Sequence, residues 1–492
     1  MGHEVGLLKS ICRFEPRNLA VGLLLGCFLV TFAYFSMTNF DSFHFLVVNS
    51  APNENAAFHS GDTVQKMASS EKLDAGPFHH ESLSETIPKA TTRKTKQKKE
   101  NKRQAPLCDL SQIRFDKCEI EGDVRIFGRN STIMWVPSSK SDDDLDYERK
   151  VWHIKPYPRK WDKDAMDPVR MVTVKPVTGP DEAPTCTNHS DLPAIVFSDR
   201  GYEDNYFHDF TDVLVPLFTA ARRLQGEVIF LVTDLMIYRI AKYVRVYKNL
   251  TKYDLINFDC DEEIRCYKKV YIGLTSYDDF DIDPERTPER YTLLDFTKFM
   301  HTIYGLKRNV AEIPIQKTLG RKPRLLIVAR GKTRRFMNLD DIVHSAEELG
   351  FEVVATEATD GLDRFSLVVN SCDAIMGVHG AGLSNMVFLP INAVFIQIVP
   401  WGNLVWVGNY FRRPVEKMKL KYFQYEITPE ESTLIEQYPK NHTVFTDPAS
   451  IQQKGWKALK KVFLVKQNVR LNIDRFRPTL QEALQYLNSG NL

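Results

Sequence analysis

The stretch that most constrains this chain is residues 373–400, DAIMGVHGAGLSNMVFLPINAVFIQIVP, where two apolar runs bracket a glycine-rich turn. Residues 374–378 have the composition of a buried parallel strand and end in His379-Gly380-Ala381-Gly382. A short amphipathic segment, 383–389, comes next, and a second apolar run, 393–399, closes a compact strand-helix-strand unit. Glycines on either side of Ala381 let the backbone approach a ligand closely. The start of the following helix offers unpaired N–H groups and a partial positive charge, a setting suited to phosphate. The ligand expected here is a nucleotide diphosphate. Such a turn also occurs as a plain tight turn. His379 favours a ligand, because a titratable residue at the carboxyl end of a strand stands where open α/β sheets bind.

A chain of 492 residues exceeds one typical domain, and a two-domain core with accessory segments is expected. The formal net charge of +2 argues against nucleic acid as a partner, since basic residues are balanced by acidic ones. Residues 19–37, LAVGLLLGCFLVTFAYFSM, carry no charge and are long enough to cross a hydrocarbon core. Lys9, Arg13 and Arg17 precede this run and Asp41 follows it, so the positive-inside bias keeps residues 1–18 cytoplasmic and sends the rest into the lumen. A cleaved signal peptide is the rival reading, with Ser50-Ala51 as its weak cleavage pattern. Residues 38–106 are poor in large apolar side chains and include a basic run at 89–103, the composition of a disordered stem.

Sequons at Asn130, Asn188, Asn249 and Asn441 all lie beyond the apolar run, in keeping with a lumenal fate. So does an even count of six cysteines beyond it. The close pairs Cys108/Cys118 and Cys260/Cys266 are the expected bridges, leaving Cys186 and Cys372 as the remainder. No CxxC pair is present, which disfavours a structural zinc site.

Folded sequence begins near residue 107. Residues 108–130 and 131–136 read as short strands, and an irregular Pro-rich stretch runs to about 193. Beyond it, strands at 194–198, 227–232 and 253–258 alternate with helices, the signature of a parallel sheet flanked by helices. The helix after the first of these strands opens with NYFHDFTD, residues 205–212. His208 and Asp212 are four apart, so on a helix they share a face. An Asp carboxylate on one imidazole nitrogen fixes the tautomer and leaves the other nitrogen free to take a proton. The bland reading makes His208 a helix-terminus residue and Asp209 and Asp212 ordinary first-turn acids. Asp-x-Asp triplets at 259–261, 279–281 and 281–283 could chelate a cation, but their multiplicity and the solvated composition of SYDDFDIDPER argue for chance, and no metal is assigned.

After a polar link at 311–322, the strand at 324–329 leads into RGKTRRFMN, residues 330–338. Arg330, Lys332, Arg334 and Arg335 cluster there, and a guanidinium can fork two phosphate oxygens. Arg330, Asn338, Glu357 and the 379–382 loop all fall at strand ends and are expected to converge on one crevice. Trp401 and Trp406 follow the last strand of the unit and read either as packing or as the acceptor side.

Together, NYFHDFTDVLVPLF, RGKTRRFMN and HGAGLSNMVFLP resemble glycosyltransferase family 61, particularly its plant members, from about residue 107 to the C-terminus. The resemblance implies a GT-B architecture, with two Rossmann-like lobes at 107–310 and 323–492 facing a cleft. It favours His208 as the base, with Asp209 and Asp212 as its companions or substitutes, and Asn205 on the acceptor side with Trp401. It favours Arg330 and Arg335 for the diphosphate, alongside Asn338, Glu357, His379, Gly380, Ala381, Gly382, Leu383 and Asn385, and leaves Lys332 and Arg334 as exposed basic residues. The implied activity is inverting transfer of a pentose, arabinofuranose or xylose, from a UDP-sugar to xylan, without a required cofactor or metal. The implied location is the Golgi membrane, where complexes with other Golgi transferases form part of the expectation. A xylosyltransferase acting on N-glycans and a catalytically silent glycan- or nucleotide-binding protein are the alternatives.

Overall fold

Two sheets organise the chain. The computed structural model describes residues 108–136, 150–177, 182–311, 321–357 and 361–489. The expected tail, apolar span and stem, and most of the 311–322 link, lie outside these residues. Among the described residues no helix is long and apolar enough to cross a membrane.

The first sheet has ten strands. Ala194–Ser198 sits between Ile264–Ile272 and Ile229–Thr233, and Ile256–Asn257 extends the edge, all in parallel. All five residues of Ala194–Ser198 are buried, as its unbroken apolar run requires of a central strand. On the other side the sheet is mixed, which the expected parallel lobe did not include. Lys117–Phe127 runs antiparallel to Ile264–Ile272 and to Thr132–Val136. Its Cys118, Ile120, Val124 and Ile126 are buried in alternation with more exposed neighbours, the period of a half-buried strand.

The second sheet is wholly parallel, in the spatial order Glu352–Thr356, Arg324–Val328, Ala374–Val378, Val394–Val399, Lys421–Glu426. The chain steps outward from Arg324–Val328 to one side and then returns to the other. Between Arg324–Val328 and Ala374–Val378 the winding therefore reverses, and the loops after these two strands diverge and leave a crevice at their carboxyl ends. The helix Leu339–Leu349 covers one face of this sheet together with the terminal helix Ile473–Asn488, which contributes Phe476, Leu480, Ala483 and Leu487. Its apolar stripe completes the core of the second sheet.

The two sheets share apolar packing. Phe210, Phe280 and Phe296 from the first half of the chain belong to the same buried cluster as Phe388, Phe395 and Phe411 from the second.

Cys108 and Cys118 are bridged as expected. Cys266, however, pairs with Cys186 and not with Cys260. The short strand Asn188–Ser190 lies parallel to Ile264–Ile272 with His189 opposite Cys266, which brings Cys186 to a Cα separation of 5.9 Å. Cys260 lies in the turn before that strand, Phe258–Cys260. Cys372 is buried and free.

Candidate active site

The carboxyl end of Arg324–Val328 leads straight into the basic loop. Arg330 anchors that loop by donating from Nε to the Thr333 carbonyl at 2.9 Å. Arg334 adopts a left-handed backbone, φ 54°, an uncommon conformation for a side-chain-bearing residue. In that conformation its guanidinium donates to the His379 carbonyl at 2.7 Å. A Cβ placed on Gly380 would come within 2.8 Å of the terminal nitrogens of both Arg330 and Arg334. Glycine there leaves room for both guanidinium ends beside the loop.

Neither guanidinium forms an ion pair among the described residues, and the Nε of Arg334 is buried without a hydrogen-bond partner. Burial, and then the neighbouring Arg330, push the Arg334 guanidinium down to about 9. Burial lowers Arg330 too, and Glu357 opposes that shift through its charge. Glu357 lies against Gly331, where an added Cβ would stand 2.5 Å from its carboxylate. Two partly desolvated positive charges side by side, with Glu357 offsetting only Arg330, are costly, and an anion held between them reduces that cost.

His379 faces the same point from the end of Ala374–Val378. Its Nδ1 accepts from the Gln397 side-chain amide at 2.7 Å, and the Tyr422 hydroxyl lies 2.8 Å from that amide's oxygen and 2.7 Å from the side-chain oxygen of Gln424. The network leaves the proton on Nε2, so the ring is a neutral donor. Burial, then the charges of Arg334 and Arg330, push His379 down to about 3. Ala381–Phe388 begins a 3-10 helix directly after Gly380, with Ala381 and Gly382 partly accessible. Leu383 is buried, with its N–H spent on the Gly380 carbonyl.

Other expected donor residues are placed differently. Arg335 is exposed, and its backbone N–H is held by Asn468 at 2.9 Å. The residue that reaches the crevice is Arg334, whose left-handed turn reverses the order the sequence suggested. Asn338 uses both ends of its amide on the backbone of Leu471, at 2.9 and 3.0 Å, and so clamps the loop to the C-terminal segment.

Across the crevice, the segment 205–212 opens its helix with Asn205 as the cap, accepting from the Phe207 N–H at 3.2 Å. From Asp209 to Leu214 the helix widens into a π turn, a feature that often marks functional sites. His208 Nδ1 donates to Asp212 at 2.9 Å. Asp212 is fully buried and also accepts from the Tyr157 hydroxyl at 2.7 Å and from Arg159 Nε at 2.8 Å. Burial alone would raise its carboxyl. Arg159 and His208 outweigh that effect and hold it below the usual carboxylate range, so Asp212 is charged. His208 Nε2 makes no hydrogen bond among the described residues, and a ring held by a carboxylate at Nδ1 carries its lone pair there. Asp209 is engaged elsewhere, with Arg239 at 2.8 Å, Lys242 at 3.1 Å and the Tyr243 hydroxyl. Of the two acids, Asp212 is the one that serves His208.

The two motifs touch. The Tyr206 hydroxyl donates to the Asn385 amide oxygen at 2.9 Å, while the Asn385 amide nitrogen holds the Gly382 carbonyl at 2.8 Å. Phe207 lies next to His208, and both Phe207 and His379 pack on Phe411, with ring centroids 5.6 and 5.7 Å apart. His208 and His379 therefore flank one aromatic spine. Tyr157, Arg159 and Tyr206 carried no spacing signal in the sequence. The first two come from the irregular stretch before residue 193, where only the fold reveals their direction.

The loop SYDDFDIDPER is not solvated surface. Phe280 is fully buried, Asp279 binds Arg114 and Arg159, and Asp281 binds Lys417 of the second half. Asp259 binds Arg170, and Asp261 binds Arg265. The group of Cys186, His189 and Cys266 has its two sulfurs joined in a disulfide, so neither is a thiolate ligand. Trp401 is a packing residue, its indole N–H bound to the Val444 carbonyl at 3.0 Å, whereas Trp406 is 42% exposed beside Tyr410. The sequon residues Asn130, Asn249 and Asn441 are exposed and Asn188 is partly exposed.

Comparison with known proteins identifies the family. The Glycosyltransferase 61 family pattern matches residues 206–396, which contain the whole crevice wall from Tyr206 to Asn385. An alpha-1,3-arabinosyltransferase of Oryza sativa subsp. japonica is 46% identical over 390 residues, covering 78% of this chain and 66% of that protein. The chain thus spans just under two thirds of the length of that relative. A beta-1,2-xylosyltransferase of the same species is 42% identical over 391 residues, covering 77% of this chain and 84% of that protein. A xylan glycosyltransferase of Arabidopsis thaliana is 31% identical over 404 residues, covering 79% and 80%. On its three motifs and on these relatives, the chain belongs to glycosyltransferase family 61.

Proposed function

We propose that this protein transfers a pentose, arabinofuranose or xylose, from a UDP-sugar to xylan, by a single inverting displacement in a GT-B cleft. The observation that carries the reading is the pair of partly buried guanidiniums of Arg330 and Arg334 set against Gly380, neither of them in an ion pair among the described residues. They take the diphosphate, joined by the neutral Nε2–H of His379 and the amides that open the 381–388 turn. His208 Nε2 removes the proton of an acceptor hydroxyl as its oxygen attacks the anomeric carbon. The bond from that carbon to the diphosphate oxygen breaks on the opposite face, and UDP leaves with its growing charge met by the two arginines. Asp212 stabilises the imidazolium that forms. The pentose and xylan assignments follow the activities for which the relatives are named.

In this reading the arginines supply the positive charge that a divalent cation would otherwise bring. Turnover is expected to persist in excess EDTA, and activity restored only by Mn²⁺ or Mg²⁺ would contradict it. The apolar run at 19–37 and the basic residues before it support a Golgi membrane anchor with the catalytic part in the lumen. The full chain, incubated with a panel of UDP-pentoses and xylo-oligosaccharides, is expected to give an extended oligosaccharide with inverted anomeric configuration. Product on N-glycans alone, or UDP binding without product from any donor, would overturn the reading.

A further inference from the structure

Beside Tyr410, whose ring meets that of His379, lies a cavity of about 140 Å³, formed where the acidic loop of the first half meets the helix Asn409–Lys417 of the second. Its walls include Asp278, Asp279, Asp281, Trp406, Tyr410 and Arg413. Trp406 and Tyr410 are 42% and 36% exposed, unusual for two large rings in contact, with centroids 6.0 Å apart. Tyr410 also meets Phe207 at 6.1 Å and His379 at 6.5 Å, so the cavity opens next to both halves of the crevice.

A second link runs through charge. Arg159 donates from Nε to Asp212 and from a terminal nitrogen to Asp279 at 2.6 Å. One buried guanidinium therefore joins the acid behind His208 to a wall of the cavity. Asp281 is held by Lys417 at 2.6 Å and Asp278 by Arg413 at 3.4 Å, which fixes the carboxylates in place while their remaining lone pairs stay available. Flat aromatic faces beside anchored carboxylates suit a neutral polyhydroxylated ring, with C–H groups on the aromatic side and hydroxyls donating to the acids.

We propose that this cavity is a subsite for one pentose unit of the acceptor chain, with Trp406 and Tyr410 as its platform and Asp279 as its hydroxyl acceptor. The proposal rests on the transfer reading above and adds where the acceptor is gripped. Arg159 then couples occupancy of the subsite to the setting of Asp212.

The test uses the full chain with a UDP-pentose and xylo-oligosaccharides of increasing length, reading acceptor KM, kcat and the Kd for UDP separately. Trp406→Ala and Tyr410→Ala are expected to raise acceptor KM by about 5- to 30-fold each, the usual loss for truncating a large aromatic anchor. The Kd of Trp406→Ala for UDP stays within about twofold of the parent, since the ring contact Trp406 makes among the described residues is with Tyr410 and not with the arginine pair or His379. Trp406→Tyr restores most of the affinity, which a merely structural role for the indole would not predict. An unchanged acceptor KM in both alanine variants, with an active parent, overturns the subsite and leaves the transfer reading standing. Equal loss of UDP binding and acceptor affinity also overturns it, because the effect would then be on the fold. A parent that uses no xylo-oligosaccharide with any pentose donor removes the transfer reading and the subsite with it.

Discussion

The crevice holds two histidines that the protein treats in opposite ways. His208 sits against a carboxylate that is itself fixed by Tyr157 and Arg159. His379 sits against an amide, with two guanidiniums beyond it. The first environment favours a ring that accepts a proton at Nε2, and the second favours a ring that stays neutral until the pH falls to about 3. The difference teaches that an imidazole's role here is written in the atom bonded to Nδ1. The same side chain becomes a base beside Asp212 and a neutral donor beside Gln397.

The most severe way to break this contrast is to remove the base. His208→Ala is expected to lower kcat by about 10²- to 10⁴-fold, the usual contribution of a positioned general base, while UDP affinity stays near that of the parent. Near-normal turnover would instead shift the role to another group. Replacing His379 is expected to act on the other ledger of the reaction. His379→Phe removes one hydrogen bond to the diphosphate and should weaken UDP binding by about tenfold, read by calorimetry, with a smaller effect on the acceptor KM.

A third experiment sharpens the contrast through pH. His379 has a folded-state value of about 3, below the unfolded value near 6.5. The unfolded chain therefore binds the proton first as the pH falls. The contribution of His379 to stability is complete above about pH 6.5 and is lost progressively toward pH 3, by at most about 1.4 kcal/mol per pH unit. Chemical denaturation of the parent and of His379→Phe across that range should show a shallower pH slope in the variant, and equal slopes would contradict the assignment. The smallest effect belongs to Gly201, which has φ 86° and lies on the Tyr157 ring, so that a Cβ there would overlap the ring. Gly201→Ala should destabilise the fold by about 1–3 kcal/mol and lower kcat several-fold through displaced Tyr157, without weakening UDP binding.

Much of this was legible in the sequence. The run 374–378, the glycine turn and the run 393–399 are contiguous, so their local chemistry determines a strand, a tight helical start and a second strand, as observed. The i, i+4 spacing likewise brought His208 to Asp212. What the sequence could not reveal depends on direction across space. Arg334 and Arg335 are adjacent and chemically identical, and only the left-handed backbone at Arg334 decides which one faces the crevice. Tyr157 and Arg159 reach Asp212 from more than fifty residues away, through a stretch with no periodicity. The disulfide followed the same rule: strand register set Cys186 beside Cys266, overriding the shorter loop to Cys260. Trp401 packs against the core with its indole N–H on a carbonyl, whereas Trp406 is left exposed, a difference that only the fold decides.

The central claim, that Arg330 and Arg334 together seat the diphosphate against Gly380, is tested most directly by UDP titration of single glutamine variants. Arg330→Gln and Arg334→Gln should each weaken UDP binding by about 10- to 100-fold, as expected for a lost charge-assisted contact, while uridine binds as it does to the parent. Arg335→Gln, whose side chain is exposed, should bind UDP as the parent does. A loss confined to Arg335→Gln, with Arg330→Gln and Arg334→Gln unaffected, would contradict the account.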